Sequence, residues 1–168
     1  IIPTTRQFVQ IQVHKVLAIF APSIESETDR AQIKNYNWNL VDLDNKVYNF
    51  RQAENKIVLI SFWATWCPPC IAELPSMQQL YETYKDKIEF VFVSNEKPET
   101  IKAFMNKNEY TFKVYNPIDA PSIELFNVNS IPRTFLINQK GEVVIDKNGA
   151  ANWNSDAVKT VINKLLND

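Results

Sequence analysis

The sequence predicts an α/β fold, in which helices flank one central mixed β-sheet. Three observations predict this class. Short, nearly continuous apolar segments typical of buried strands alternate with longer segments of helical periodicity. The alternation ends in an antiparallel hairpin and a closing helix. The 168 residues, 45% hydrophobic and 22% charged, suffice for one globular domain with an extension.

The first 35 residues are predicted to form a helical extension with a linker, and residues 36–168 to form the domain. Thr4 and Thr5 are candidate caps of a helix that reaches about Phe20, with apolar side chains at helical spacing. Its apolar face would pack on the domain itself, which is the interpretation we favour, or on another molecule. A polar segment over 21–36 would then lead into the domain.

Each element of the domain is predicted from apolar periodicity and from the turn residues between the apolar segments. In chain order the elements are a hairpin over 37–50 with its turn at 43–46, a central parallel strand over 57–63, a helix over 68–85, a buried strand over 88–93, a helix over 98–108, a short strand over 113–115, one or two helical turns over 121–126, a hairpin of strands 134–137 and 143–145, and a last helix that Asn154 or Ser155 caps.

The two cysteines of the chain, Cys67 and Cys70, stand in a C-x-x-C motif between the predicted central strand and the following helix. Two sulfurs at this spacing can close and reopen a small disulfide ring, as a dithiol redox site requires. Cys67 lies at the expected N-cap, where the helix dipole favours a thiolate, so it is the predicted nucleophile. Cys70, one turn further and predicted to be more buried, is the predicted resolving thiol.

Pro68 and Pro69 separate the cysteines, and neither residue has an amide N–H. Of the first three helical amides, only that of Cys70 remains to face the Cys67 sulfur. We therefore expect Cys67 to be acidified, but less than in a motif whose amides all donate.

Glu73 is the candidate proton acceptor for Cys70, because both fall on the inward arc of the predicted helix. A carboxylate in that position would have a raised pKa. Periodicity alone leaves a second interpretation open, in which Glu73 is a solvated residue that complements the helix dipole.

Two further features flank the motif. Of Trp63 and Trp66, one is predicted to be a core residue and the other a partly exposed wall beside Cys67, and the residues alone do not decide which. The Ile131-Pro132 bond precedes a predicted strand, and on sequence alone an ordinary turn proline is favoured over a cis proline.

Composition and motifs exclude several classes of function. The net charge is −1 with scattered basic residues, which argues against nucleic acid as a partner. No glycine-rich phosphate loop is present, so no nucleotide cofactor is predicted. No metal is predicted, because beyond the cysteines the remaining soft ligand is His14 in the extension. No apolar segment is long enough to cross a membrane.

The segments 62–75 (FWATWCPPCIAELP) and 130–137 (SIPRTFLI) resemble the thioredoxin superfamily, and in particular its TlpA/ResA/DsbE-like branch. The resemblance extends from about residue 36 to the C-terminus and implies a thioredoxin-like fold. It also implies that the Ile131-Pro132 bond is cis and that this loop faces the cysteines. The Ile131 backbone would pair with an extended substrate. Trp66, Pro68, Ile131 and Pro132 are accordingly the predicted substrate contacts.

The resemblance favours the proton-handling role of Glu73 over the solvated one. One departure concerns a proton route of thioredoxin itself, which uses a buried Asp in the strand before the motif. This chain has Ser61 there, so that route is absent.

The function implied by the resemblance is that of an envelope thiol-disulfide oxidoreductase. It would exchange the Cys67–Cys70 pair with protein disulfides or dithiols in the periplasm or cell envelope, as a reductant of apocytochromes or other envelope proteins. The disulfide would be its only cofactor, and a membrane protein its electron donor. Because the chain begins with Ile rather than Met, we expect a processed or truncated form, whose native N-terminal segment would anchor it to the membrane.

Two alternatives stay open. A peroxiredoxin-like antioxidant enzyme would normally have Thr three residues before the reactive cysteine, whereas this chain has Ala64 there and Thr65 one residue later. A non-catalytic thioredoxin-like interaction module would keep the disulfide without using it, although so short a ring contributes little entropic stabilisation.

Overall fold

A computed structural model of the protein describes residues 9–10 and 20–168. Within residues 20–168 the chain forms seven strands, three α-helices and two short 3-10 helices. The strands are β1 (Asn39–Asp42), β2 (Val47–Asn49), β3 (Val58–Phe62), β4 (Glu89–Val93), β5 (Val114–Pro117), β6 (Arg133–Ile137) and β7 (Val143–Asn148). The helices are α1 (Pro68–Tyr84), α2 (Pro98–Asn108) and α3 (Asp156–Asn167), and the 3-10 helices are Phe50–Ala53 and Glu124–Phe126.

The strands form one sheet in the order β2-β1-β5-β4-β3-β6-β7. β3 lies near its middle, parallel to β4 and antiparallel to β6. β5 is parallel to β4 and antiparallel to β1, so the sheet is mixed as predicted. The predicted central strand is confirmed, but it is parallel to only one of its two neighbours.

Apolar clusters cover the two faces of the sheet. Because successive strand residues point to opposite faces, Leu59 packs in the cluster that holds the buried residues of all three helices. Val58, Ile60 and Phe62 pack in the other cluster, whose largest fully buried side chains are the aromatic rings of Trp38, Phe50, Phe126 and Phe135. Every residue of β3 is buried, which explains its continuous apolar sequence.

Most predicted boundaries agree with the structure. The predicted helix over 98–108 is α2, and Ser155 is the N-cap residue of α3. β7, however, extends to Asn148, beyond the predicted end at 145. Its last residues are polar and pair with β6, where Arg133 forms a double hydrogen bond with Asp146 at 3.0 and 2.8 Å. An apolar pattern does not detect such an extension.

Residues 20–33 form a strap along the outer edge of β7. The Ile33 N–H donates to the Gly141 carbonyl at 2.8 Å, and the Glu25 N–H donates to the Val144 carbonyl at 2.8 Å. At the other end, the Phe20 carbonyl accepts from the Asn152 N–H at 2.9 Å. The strap covers backbone groups that an edge strand would otherwise expose. The helix predicted over about 4–20 lies, for most of its length, outside the described residues, and the domain boundary at residue 36 stays a prediction.

Gly141 joins the β6–β7 hairpin to the strap, and a side chain does not fit there. Its φ is +79°, and an added Cβ would lie 2.8 Å from Tyr36 Oη and 2.9 Å from the Ile33 carbonyl oxygen. Gly149 has a similar φ of +84°, but no atom of the described residues lies within 4 Å of an added Cβ. Substitutions at the two glycines therefore distinguish the cost of backbone strain from the cost of close packing.

We expect Gly149→Ala to lower the free energy of unfolding by about 1 kcal/mol, which is the cost of a left-handed backbone for a residue with a side chain. Gly141→Ala should lower it by roughly 3 kcal/mol, because the methyl group must also displace the strap. Denaturant unfolding of the two variants measures the difference. Equal losses would mean that the strap does not pack on Gly141.

Candidate functional site

The cysteines lie where β3 ends and α1 begins. Cys67 is the N-cap residue of α1, as predicted, and is joined to Cys70 by a disulfide, so the structure holds the oxidised form. The Cys70 N–H donates to the Cys67 sulfur at 3.3 Å. Since Pro68 and Pro69 have no N–H, this amide is the one that the first turn offers to Cys67.

The loop between β3 and α1 is held by Glu96 in the loop after β4. One carboxylate oxygen of Glu96 accepts from the Thr65 N–H, and the other accepts from the Thr65 hydroxyl, both at 2.7 Å. Sequence reasoning missed Glu96. A signal existed, because Thr65 and Glu96 each stand three residues after the end of neighbouring parallel strands, which finish at the same edge of the sheet.

Burial divides the residues around the motif. Trp63 is the core tryptophan, and Trp66 is the exposed wall with 61% of its surface accessible. Both cysteines are buried, with Cys67 at 3% exposure and Cys70 at 0%. Access to the Cys67 sulfur is therefore narrow and is controlled by the residues that border it.

The Ile131-Pro132 loop, which precedes β6, contacts Cys67 at the end of the sheet. The bond is cis, as the resemblance implies. The Ile131 carbonyl oxygen lies 3.8 Å from the Cys67 sulfur, although the residues are 64 positions apart. Pro132 is buried, and its carbonyl accepts from the Gly149 N–H at 2.8 Å.

Glu73 is buried, with 1% of its surface exposed, so its interpretation as a solvated helix-dipole residue is wrong. One carboxylate oxygen, Oε2, accepts from the Trp153 indole N–H at 3.0 Å and from the Ala151 N–H at 3.1 Å. Burial raises the pKa of Glu73 to about 8, while the two donors and Lys147 on β7 act to lower it.

Trp153 and Ala151 are further residues that sequence reasoning missed. They lie in the loop before α3, about 80 residues from Glu73 in the chain. A tryptophan in a polar loop is a weak signal of a buried donor, because a buried indole N–H usually has a partner. Nothing in the sequence assigns that partner to Glu73.

Two cavities lie beside the C-x-x-C motif, and each is lined by a chain neighbour of the cysteines, Trp66 in one and Pro69 in the other. They share Ile131 as a lining residue. The Trp66 cavity, of about 610 Å³, is also lined by Trp66, Glu96 and Ile118. The Phe20 cavity, of about 390 Å³, is also lined by Phe20, Pro69, Pro132 and Lys147. Of the four predicted substrate contacts, Trp66, Ile131 and Pro132 line these cavities, whereas Pro68 is half-buried and lines neither.

Beneath the site, the Thr134 hydroxyl donates to the Ser61 hydroxyl at 2.8 Å. Ser61 stands at the strand position where thioredoxin has its buried Asp. In the part of the chain that the structure describes, no three His, Cys, Asp or Glu side chains are grouped as a metal site, and His14 lies outside that part. No helix in the described ranges is both long and apolar enough to cross a membrane.

The raised pKa of Glu73 has a consequence for stability. Between its ordinary value of 4.5 and about 8, the folded protein holds a proton that the unfolded chain releases. We therefore expect the free energy of unfolding to fall as the pH rises through this window, and Glu73→Gln to remove that part of the slope. Unfolding of the oxidised protein at several pH values measures it, because the bonded cysteines do not titrate.

Glu99→Gln is the matched control, because Glu99 is exposed in the first turn of α2 and should leave the slope unchanged. Trp153→Phe removes one donor to the Glu73 carboxylate, so it should raise the pKa of Glu73 and extend the window to higher pH. A wild-type slope in Glu73→Gln would contradict the assignment.

Comparison with known proteins agrees with this geometry. The thiol-disulfide oxidoreductase ResA of Halalkalibacterium halodurans is 34% identical over 117 residues, which are 68% of this chain and 66% of that protein. The thioredoxin-like protein YneN of Bacillus subtilis is 37% identical over 111 residues, or 63% of this chain and 64% of that protein. The chain thus spans about half to two thirds of the curated relatives that it matches.

A solved structure of a thiol:disulfide interchange protein of the thioredoxin family from Chlorobium tepidum covers 82% of this chain and 99% of its own, with a TM-score of 0.66 and 25% identity. The model of the AhpC/TSA family matches residues 30–145, which is more than half of the chain. The protein therefore belongs to the AhpC/TSA family and has a thioredoxin-like fold.

Proposed function

We propose that the protein is a thiol-disulfide oxidoreductase, which exchanges its Cys67–Cys70 pair with disulfides or dithiols of other proteins. The observation that carries the proposal is the position of the Cys67 sulfur. It faces the Cys70 amide at 3.3 Å and the Ile131 carbonyl at 3.8 Å. A buried carboxyl group, Glu73, lies one turn further along the same helix.

The reaction begins in the reduced form, with the Cys67 thiolate. The thiolate attacks one sulfur of a substrate disulfide, a bond forms between Cys67 and that sulfur, and the other substrate sulfur leaves as a thiolate. Cys70 then loses its proton and attacks the Cys67 sulfur. This re-forms the Cys67–Cys70 disulfide and releases the second substrate sulfur, so two electrons pass to the substrate.

Glu73 is the proposed acceptor of the Cys70 proton. Burial raises the pKa of Glu73 to about 8, which makes its carboxylate a better proton acceptor for a thiol than an ordinary carboxylate would be. Oε2 is engaged by two donors, which leaves Oε1 for the proton. Because Cys70 is fully buried, bulk water is a poor alternative acceptor.

The finer parts of the proposal rest on the resemblance to ResA-like proteins. The protein would act as a reductant in the cell envelope, on apocytochromes or other envelope proteins. Its disulfide would be the only redox group, and a membrane protein would reduce it again. The native chain would be anchored at the membrane by an N-terminal segment.

The peroxiredoxin-like alternative finds less support in the geometry. The Thr65 hydroxyl donates to Glu96 at 2.7 Å, so it is already engaged away from the Cys67 sulfur. The inert-module alternative gives no reason for a buried carboxyl group of raised pKa one turn after Cys70 on the same helix. Both alternatives predict that a disulfide-linked peptide is left unreduced.

The roles of the two cysteines are tested with a disulfide-linked peptide dimer as substrate. The reduced wild-type protein should reduce about one peptide disulfide per molecule, because each turnover uses one dithiol. Reduced Cys70→Ser should stop as a mixed disulfide on Cys67, detected by mass spectrometry, and Cys67→Ser should form none. A mixed disulfide on Cys70, or consumption of hydrogen peroxide in place of the peptide, would contradict the proposal.

The role of Glu73 is tested in the same assay. Glu73→Gln should slow the release of the peptide from the mixed disulfide by roughly 100-fold, because a general base is lost. The rate of mixed-disulfide formation should change little, since the attacking Cys67 is already a thiolate and does not use Glu73 as a proton acceptor. Stopped-flow kinetics separates the steps, and Glu99→Gln is the control. Equal slowing of both steps would indicate a structural effect instead.

A further inference from the structure

Three of the large apolar side chains that the described residues expose lie around the same two cavities. Trp66 is 61% exposed and Ile118 is 54% exposed, and both line the Trp66 cavity. Phe20 is 73% exposed and lines the Phe20 cavity. Exposed apolar side chains that gather in one place, with polar residues around them, are typical of interaction sites.

The backbone, rather than side-chain burial, places Phe20 beside the site. Its carbonyl accepts from the Asn152 N–H at 2.9 Å, and Pro22 is buried two residues later. The strap then continues along β7, where the Glu25 N–H reaches the Val144 carbonyl. The family model begins at residue 30, so Phe20 is a feature of this chain outside the part that the family shares.

The bond between the substrate sulfur and Cys67 determines where the substrate segment lies on the protein. A substrate sulfur bonded to Cys67 lies against Ile131, whose carbonyl is 3.8 Å from the Cys67 sulfur and whose residue lines both cavities. In an extended segment, residues two positions apart point to the same side and are separated by about 7 Å. The side chains two positions before and after the reacting cysteine therefore face the cavities on either side of Ile131.

We propose that the two cavities form one groove for an extended substrate segment that carries an apolar side chain two positions before and two positions after its reacting cysteine. Phe20 is the wall of the groove on one side, and Trp66 and Ile118 are the wall on the other. This inference rests on the proposed thiol-disulfide exchange and adds a substrate preference to it.

The charged lining residues narrow the preference further. Glu96 and Asp119 line the Trp66 cavity, whereas Lys147 lines the Phe20 cavity. An acidic substrate residue would meet like charge in the Trp66 cavity, which disfavours it. In a preferred substrate, the residues next to the apolar side chain that faces the Trp66 cavity are therefore neutral or basic.

The test uses two disulfide-linked peptide dimers that differ only two positions before and two positions after the cysteine, with Leu at both positions in one dimer and Ser at both in the other. The reduced full chain should reduce the Leu dimer with a second-order rate constant on the order of tenfold higher. Phe20→Ala should remove most of this preference by lowering the second-order rate constant for the Leu dimer alone. Ile24→Ala is the matched control, because Ile24 is 50% exposed on the same strap but lines neither cavity.

Reduction of the Cys67–Cys70 disulfide by dithiothreitol provides a second readout, because this small dithiol does not span the groove. Its rate should be the same in wild type, Phe20→Ala and Ile24→Ala. Equal second-order rate constants for the two dimers in the wild-type protein would overturn the groove and leave the exchange function in place. So would a Phe20→Ala variant that gains activity on both dimers, since Phe20 would then cover the site. A wild-type protein that reduces neither dimer would overturn the exchange function, and the groove with it.

Discussion

The site depends on the pairing of β3 on both of its edges. Phe62, its last residue, is in register with Val93 at the end of β4 and with Arg133 at the start of β6. The chain that leaves β3 must therefore emerge between the loop after β4 and the loop before β6. Glu96 lies in the first of these loops and Ile131 in the second, so a carboxylate and a backbone carbonyl meet the cysteine loop from opposite sides.

A second constraint is the burial of Glu73. Removing a carboxylate from water favours its protonated form, and two N–H donors on one oxygen recover part of the stability of the charged form. The balance leaves the pKa at about 8, near that of a thiol. Burial alone would keep Glu73 in its protonated form, whereas full solvation would keep it ionised at neutral pH. The loop before α3 thus contributes to the proposed chemistry although it does not reach the cysteines.

The strap connects the edge of the sheet to the site. A free β7 edge would expose a row of backbone donors and acceptors, and residues 20–33 pair with the first part of it, at Val143 and Val144. Because the strap runs from Gly141 at one end of β7 to Asn152 beyond the other, its N-terminal end lies at the level of the cysteines. A segment that protects an edge in this way also delivers Phe20 to the site.

The order of the elements, the mixed sheet and the C-x-x-C motif at a helix start were all predictable from the sequence by itself. These features are local, because apolar periodicity, N-cap position and the missing amides of two prolines are properties of neighbouring residues. The inward direction of Glu73 was one of two open interpretations, since periodicity gives an arc of the helix and not what covers it. Which tryptophan is buried depends on the core that surrounds Trp63, and that core is contributed by distant segments.

Only the tertiary structure decided the contacts between residues far apart in the chain. Trp153 and Ala151 on Glu73, Glu96 on Thr65, and Phe20 beside Pro132 each join segments that no periodicity relates. The pKa of Glu73 belongs to this group, because it is set by burial and by donors from another element. The sequence determined by itself that two cysteines stand at a helix start, and the packing of the sheet determined what surrounds them, since burial and charge act through space rather than along the chain.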